Sequence, residues 1–466
     1  MSAGAFRPRR TDLRAMVDLA VPVVVVQVGL MFMGVADTIM VGHVSATALA
    51  AVALGNVYFF AVIVFGMGTL MALDPLVAQA VGAADEPATA RAVQRGLLLA
   101  LLLAVPIMLA LLPAAPALTL LQQPPDVVPF AAGYARASVP GVLPFLGFVV
   151  LRQSLQAMER LRPIVATIVI ANLVNLGLNW VLIFGHLGLQ PGGAVGAAWA
   201  SSISRWFMAL ALLAAGWPVL RPLLHPIRPK AFHLGPLVRV LRLGAPIGAQ
   251  QQLEFGAFGV IGLLMGLLGT REMAGHQIAL NLASLTFMVP LGVSAAAAVL
   301  VGQAVGRRDD PGARRAAGAA LICGTAFMTT SALVFMTIPR VLAGIYTSDA
   351  GVATLAAALI PIAAIFQLFD GWHVVCIGVL RGVGDTRTPM IVNVLGFWLL
   401  GIPISIWLGF RTALGPQGLW LGLVAGLVVV SIVLLARVRR RLHRDLRRVQ
   451  VDDHTGDYPA VSSSSL

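Results

Sequence analysis

Apolar runs of about twenty residues recur from one end of the chain to the other, separated by short polar or basic stretches. A run of that length matches a helix crossing a bilayer. Twelve such runs are predicted, at 15–40, 50–80, 94–116, 130–153, 164–186, 193–216, 237–266, 278–304, 316–339, 352–379, 388–410 and 417–437. None shows the alternation of period two that a membrane barrel needs, so all twelve are read as helices. The first run follows Arg7, Arg9, Arg10 and Arg14 and lacks a small-residue cleavage site, so it reads as a retained helix and not a signal peptide.

The connecting stretches order these helices relative to the membrane. If the N-terminus is cytoplasmic, 27 of the 32 Lys and Arg residues fall on the cytoplasmic side. Only Arg271, Arg340 and Arg411 fall in opposite loops, with Arg136 at a span edge and Arg205 inside span six. This bias places both termini in the cytoplasm. It also accounts for the net charge of +13 through topology and contact with anionic lipid, and it argues against nucleic acid as a partner. Cys323 and Cys376 lie far apart in separate apolar runs, without the spacing of a metal site or disulfide framework.

The chain repeats itself at an offset of 224 residues. Pro22 matches Pro246, Gln79-Ala-Val-Gly82 matches Gln303-Ala-Val-Gly306, Asp85 matches Asp309, Pro87 matches Pro311 and Arg91 matches Arg315. Six spans per repeat is an even number, so both halves enter from the same side. The predicted fold is an all-α polytopic membrane protein of twelve helices in two pseudo-symmetric six-helix lobes built as parallel repeats. Residues 1–14 form a cytoplasmic segment, 15–216 the first lobe, 217–236 a Pro-rich basic linker and 237–437 the second lobe. Residues 438–466 form a basic and then disordered tail from Val451 onward.

Few ionisable residues interrupt the apolar runs. Glu254 stands in the middle of span seven, Asp37 late in span one, Asp74 in span two, Arg205 in span six and Asp370 in span ten, with His373 one turn after it. A charge at such depth costs at least ~2.5–3.5 kcal/mol on insertion scales, so it faces protein, water or a bound cation. Glu254 corresponds to Leu30 in the first repeat, and Asp37 lies seven residues beyond Leu30. The carboxylates are therefore not copies, and two separate cation-responsive sites are expected. Asn175 and Asn179 share a face of span five and are expected to partner Asp37, although amides at this spacing also serve simply to join helices. Asp74 precedes Pro75 and reads as structural. The chain has no metal-dependent hydrolase, phosphate-binding or serine-hydrolase motif and no nucleotide-binding domain, so an enzyme is not expected and transport must draw on an ion gradient.

Asp37-Thr-Ile-Met-Val-Gly42 with Ala50-Ala-Val-Ala-Leu-Gly-Asn56, and Gln79-Ala-Val-Gly82, resemble the first two spans of the multidrug and toxic compound extrusion (MATE) transporters. Gly244-Ala-Pro-Ile-Gly248 with Glu254, Ala274-Gly-His-Gln-Ile-Ala-Leu-Asn281, and Asp370 with Gly378-Val-Leu-Arg-Gly-Val-Gly-Asp-Thr-Arg-Thr-Pro389 resemble the seventh and tenth spans. The resemblance covers about residues 13–437 and is similar to the NorM-type branch. It implies a protein of the bacterial inner membrane, exporting cationic amphipathic compounds by antiport with H⁺ or Na⁺ and needing no cofactor; the fold needs no partner, so a monomer is expected. It also implies that Glu254 and Asp370 bind the coupling cation, with Na⁺ as the candidate metal there, that Asp37 is required and that Asn175 and Asn179 support it. Phe366 stands where Na⁺-coupled members often have tyrosine, so H⁺ is expected to drive transport at least as well. Met31, Met33, Met265, Met288, Gln251 and Phe366 are the expected substrate-cleft residues. The alternative reading is a flippase of lipid-linked saccharides, whose cavity should be lined by Arg and Lys.

Overall fold

The computed structural model describes residues 6–452. Twelve helices are long and apolar enough to cross a membrane. They are α1 (Arg10–Gly42), α2 (Ala46–Gly82), α3 (Glu86–Leu111), α4 (Val128–Ala157), α5 (Arg162–Phe184) and α6 (Gly193–Leu224) in the first lobe. The second lobe holds α7 (Leu234–Leu268), α8 (Thr270–Gly306), α9 (Asp310–Thr337), α10 (Ala350–Gly382), α11 (Arg387–Arg411) and α12 (Pro416–Leu442). No strand occurs among the described residues.

The repeat is visible in how the helices start. Asp85 accepts from the Ala88 N–H at the head of α3, and Asp309 accepts from the Gly312 N–H at the head of α9. Each is followed by a proline in the first turn, whose missing N–H costs nothing there. Two short helices, Ala114–Leu120 and Pro339–Tyr346, occupy corresponding places after α3 and α9.

Helix ends differ from the hydropathy boundaries where capping or packing extends them. Helix α1 begins at Arg10, inside the expected 1–14 segment, because Asp12 accepts from the Arg9 N–H. Helix α6 runs to Leu224, eight residues into the expected linker, despite Pro218 and Pro222. Leu220 and Leu223 are buried there, and Gln94 donates to the Leu223 carbonyl at 2.9 Å, satisfying a helix end. Helix α12 passes 437 and ends at Leu442, since Arg439, Arg440 and Arg441 suit a helix C-terminus. Val451 and Asp452, expected to be disordered, are held by Arg239, Arg91 and Arg95. The rest of the tail, from 453, and residues 1–5 lie outside the described residues.

The lobes meet along the half of the membrane nearest the termini. The repeated glutamines form the seam. Gln79 of the first lobe donates to the Gly382 carbonyl of the second at 2.8 Å, and Gln303 of the second donates to the Ala157 carbonyl of the first at 3.0 Å. Glycine makes this approach feasible. A Cβ on Gly82 would lie 2.1 Å from the Gln303 carbonyl oxygen, and one on Gly306 2.2 Å from the Gln79 carbonyl oxygen. Asp74 and Arg381, both buried, add an ion pair of 3.1 Å between the lobes. Further from the termini, Gly68 packs on Gly248 and Gln251 donates to the Met71 sulfur at 3.2 Å. Beyond that level Gly34, Gly259, Gly262 and Gly266 face open space, and Gln277 and Asn281 are exposed on α8. The lobes therefore close on the terminal side and part on the other.

Gly82→Val should hold this seam ajar. Overpacking of a close contact costs about 1–3 kcal/mol, enough to shift the closed–open balance by about five- to a hundredfold toward opening on the terminal side. Hydrogen exchange of residues 73–82 and 298–306, followed by mass spectrometry, should accelerate accordingly. Unchanged exchange would contradict the assignment of Gly82 to a closing contact.

Candidate functional site

Each lobe holds one group of buried polar side chains, and the two groups are separate. In the first lobe Asp37 is 3% exposed on α1. Asn179 of α5 donates to one of its oxygens at 2.6 Å and Ser201 of α6 donates to the other at 2.5 Å. Asn175, one turn before Asn179, accepts from the same Asn179 amide at 3.1 Å and also acts on the Asp37 carboxylate, less strongly than Asn179. Three helices are thus joined through one carboxylate. Arg205 lies within Coulombic reach of Asp37 and Tyr134, with its guanidinium 4.0 Å above the Phe59 ring and 5.4 Å from that of Phe145. Aromatic faces stabilise a cation that has few oxygen partners. The sequence left Arg205 undecided and offered no signal for Ser201, because serine is common in such helices.

In the second lobe Glu254 of α7 meets Asp370 and His373 of α10, with their ligand atoms all within 4.8 Å of one another. Asp370 and His373 are buried, whereas Glu254 is half-buried and forms the open edge. Asn393 of α11 closes the group. Its amide donates to Glu254 at 3.4 Å and its carbonyl oxygen faces His373 Nε2 at 3.0 Å. That arrangement requires Nε2 to carry a hydrogen, because an amide oxygen only accepts. The other ring nitrogen, Nδ1, stands 3.4 Å from Asp370 Oδ1. Two lone pairs repel there, so the contact is attractive only when a proton sits on the ring or on the carboxyl.

The surroundings hold this group in place. Trp398 Nε1 donates to the Leu253 carbonyl beside Glu254 at 3.0 Å. A π-helical turn, Val394–Gly401, begins directly after Asn393 and brings the Phe397 ring to 5.9 Å from His373. Such turns shift the register of a helix and recur at functional sites. His373 was visible in the sequence only as a residue one turn from Asp370 and was read as a local hydrogen bonder. Asn393 was missed. The matching motif ends at Pro389, and the remaining signal was a lone amide at the head of an apolar run.

The expected cleft residues divide. Met31 and Met288 are half-exposed, and Gln251 is half-buried in the seam against Met71. Met33 and Met265 do not line the cleft in this conformation. Both are buried in the packed core, Met33 in the core that spans the lobes and Met265, completely, in that of the second lobe. Phe366 is likewise withdrawn at 3% exposure, packed edge-on against Phe258 and Trp420. Beside it Gln367 accepts from Thr286 at 2.7 Å and from Ser331 at 3.3 Å.

Asn179→Ala should cost about 1–3 kcal/mol, the scale for leaving a buried acceptor unpaired. Asn175→Ala should cost less, since Asn175 acts on Asp37 more weakly than Asn179 does. Thermal unfolding of both variants in detergent would check this order, and a larger loss at Asn175 would contradict it.

The profile of the MatE family matches residues 22–181 and 246–407, two segments that begin at the offset of the internal repeat. A probable multidrug resistance protein NorM of Rhodopseudomonas palustris is 39% identical over 457 residues, covering 96% of each chain. Multidrug resistance protein PmpM of Pseudomonas aeruginosa is 35% identical over 458 residues, covering 95% of each. The crystal structure of the eukaryotic MATE transporter AtDTX14 superposes with a TM-score of 0.84 at 23% identity, covering 93% of this chain and 99% of that one, which supports the fold. On the span of the profile match and the identity of these relatives, this integral membrane protein belongs to the MatE family.

Proposed function

We propose that the protein exports small organic cations from the bacterial cytoplasm across the inner membrane, with protons as the coupling ion taken up at Glu254, Asp370 and His373. The relatives' names as multidrug resistance proteins support the efflux. The basic loops support cytoplasmic termini. The observation that carries the choice of ion is the unresolved contact between His373 Nδ1 and Asp370 Oδ1, which has a place for a proton built into it. A hard cation such as Na⁺ favours a shell of oxygens, and here one of the three facing groups is an imidazole. The Phe366 ring supplies no oxygen and points into packing.

In this mechanism the outward-open cleft exposes the Glu254 edge to protons. Protonation lowers the negative charge of the group and with it the attraction for a bound organic cation, which leaves. The deprotonated state, open to the cytoplasm, recovers that attraction. Competition for one negative charge couples the two fluxes whenever each ligand's affinity differs between states. Asp37 contributes a second negative charge in the other lobe and ties α1 to α5 and α6. A flippase for lipid-linked pyrophosphates would need a cation-lined cavity. Arg152 donates to Gln27, Arg381 pairs with Asp74, and Arg205 sits among phenyl rings, so these buried arginines serve the scaffold.

In proteoliposomes a proton gradient alone should drive accumulation of a fluorescent organic cation. Glu254→Gln should lower that driven transport at least ~100-fold while the protein still folds, because the exchange needs the ionisable edge. Wild-type transport by this variant would remove Glu254 from the mechanism, and strict dependence on a Na⁺ gradient would replace the proton by Na⁺.

A further inference from the structure

The segment after α12 crosses from the lobe that carries it to the other lobe. It leaves the second lobe at Leu442, whose carbonyl accepts from Arg314 of α9 at 2.7 Å. Helix α12 itself is pinned there by Arg437 on Asp385 at 2.8 Å. Within ten residues the chain is bonded to the first lobe. Arg448 pairs with Asp85 at 2.8 Å, and Asp452 takes Arg91 at 2.8 Å and Arg95 at 2.5 Å. Between them the Val449 N–H donates to the side-chain oxygen of Gln79 at 2.7 Å.

That last bond separates the two repeats. Gln79 and Gln303 make the same bond across the seam with their amide nitrogens. Among the described residues the oxygen of Gln303 is met by Arg307 of its own helix, at 3.4 Å. The oxygen of Gln79 is taken by the tail. The tail thus adds a clasp to the first-lobe side of the seam, where the second-lobe side has the Asp12–Arg315 pair at 3.4 Å, and it lies over the end that must open when the cleft turns to the cytoplasm.

We propose that residues 443–452 act as a latch across the lobe seam, holding the terminal side closed and releasing the first lobe each time that side opens. Six residues from Leu442 to Arg448 span at most about 20 Å when extended. Separation of the lobes beyond the slack in this segment must therefore break its contacts with Asp85, Gln79, Arg91 and Arg95. The strength of the latch then sets the share of molecules open on the terminal side.

Its charges are fixed across ordinary pH. Burial pushes the Asp85 and Asp452 carboxyls up, but the Ala88 N–H and Arg448 at Asp85, and Arg95 with Arg91 at Asp452, outweigh it and hold both below the usual carboxylate range. Carboxyls lowered in this way keep their stabilisation above their ordinary value of about 4 and lose it only as pH falls through the lowered one. Ionic strength, which screens partly exposed pairs, is therefore the lever that weakens the latch at neutral pH.

The test is a distance measured across the terminal side in the full chain, with spin labels on Arg160→Cys in the first lobe and Arg440→Cys in the second, and Cys323 replaced by serine. In Asp452→Asn with Arg448→Gln, the long-distance population should rise at least threefold over the unsubstituted latch. Asp452→Glu should leave it near the starting value. Raising salt should move the unsubstituted latch in the same direction and by more than the double variant, in which only the Asp12–Arg315 pair remains to be screened, an arm that needs no latch substitution to fold. Distance distributions indifferent to both the double variant and salt would overturn the latch. The readout is a conformation, so it does not depend on which ligand or ion the protein moves.

Discussion

Every buried charge in this protein has to be compensated inside the membrane, and the mode of compensation separates the roles. Asp74 is compensated by a fixed cation, Arg381, and the result is a bond between lobes. Asp37 is compensated mainly by neutral donors, Asn179 and Ser201, and the result joins α1, α5 and α6. Glu254 and Asp370 are compensated by His373 and Asn393, of which the imidazole can exist with or without a charge. A fixed cation or a neutral donor gives a static bond. In the third arrangement the compensating group can itself change charge.

The same constraint explains why the lobes close so tightly on one side. Backbone carbonyls at the ends of α4 and α10 have no helical partner. The seam supplies partners for two of them from the other lobe, through Gln303 to Ala157 and Gln79 to Gly382. Glycines at 82, 302 and 306 let the backbones come near enough for those bonds. The Gln-Ala-Val-Gly repeat is thus a matched donor and spacer. When the lobes part, both carbonyls need water, which is available at the membrane surface and scarce at its centre. A seam of this kind is suited to the terminal half, where it is found.

Much of this was legible in the sequence, and the limits follow from the kind of signal. Hydropathy located all twelve spans, because a bilayer demands length and apolarity without regard to partner. It misplaced the ends of α1, α6 and α12, where Asp12, Gln94 and the terminal arginines extend helices beyond the apolar run. Intramembrane charge picked out Asp37, Glu254 and Asp370. It did not reveal Asn393 or Ser201, because a neutral polar residue costs little enough to occur in many helices without a role. Met265 and Phe366 show the converse. Apolar residues carry no mark of whether they face a cleft or a core, and helix rotation, invisible in composition, put both inside. The docked tail was missed for another reason: its polar composition says nothing about the acidic and basic partners that wait on the far lobe.

An exchangeable charge influences access only through elements that touch both the charge and the seam. Helix α10 carries Asp370 and His373, and eleven residues further it carries Arg381 and Gly382. Eleven residues are about three turns and ~16 Å, so Asp370 and Arg381 lie on nearly the same face. Helix α7 carries Glu254 and, less than two turns earlier, Gln251 and Gly248 at the base of the cleft. Both helices of the second-lobe group are therefore also helices of the seam. Asp37 sits on α1, whose close approach to the other lobe is at Val24 against Gly292, thirteen residues away. A change in charge at Glu254, Asp370 and His373 acts on helices that hold the lobes together, whereas one at Asp37 acts first within its own lobe. Thermodynamic linkage then requires the converse: closing the seam must alter the affinity of the second-lobe group for its ion whenever the ion alters the seam.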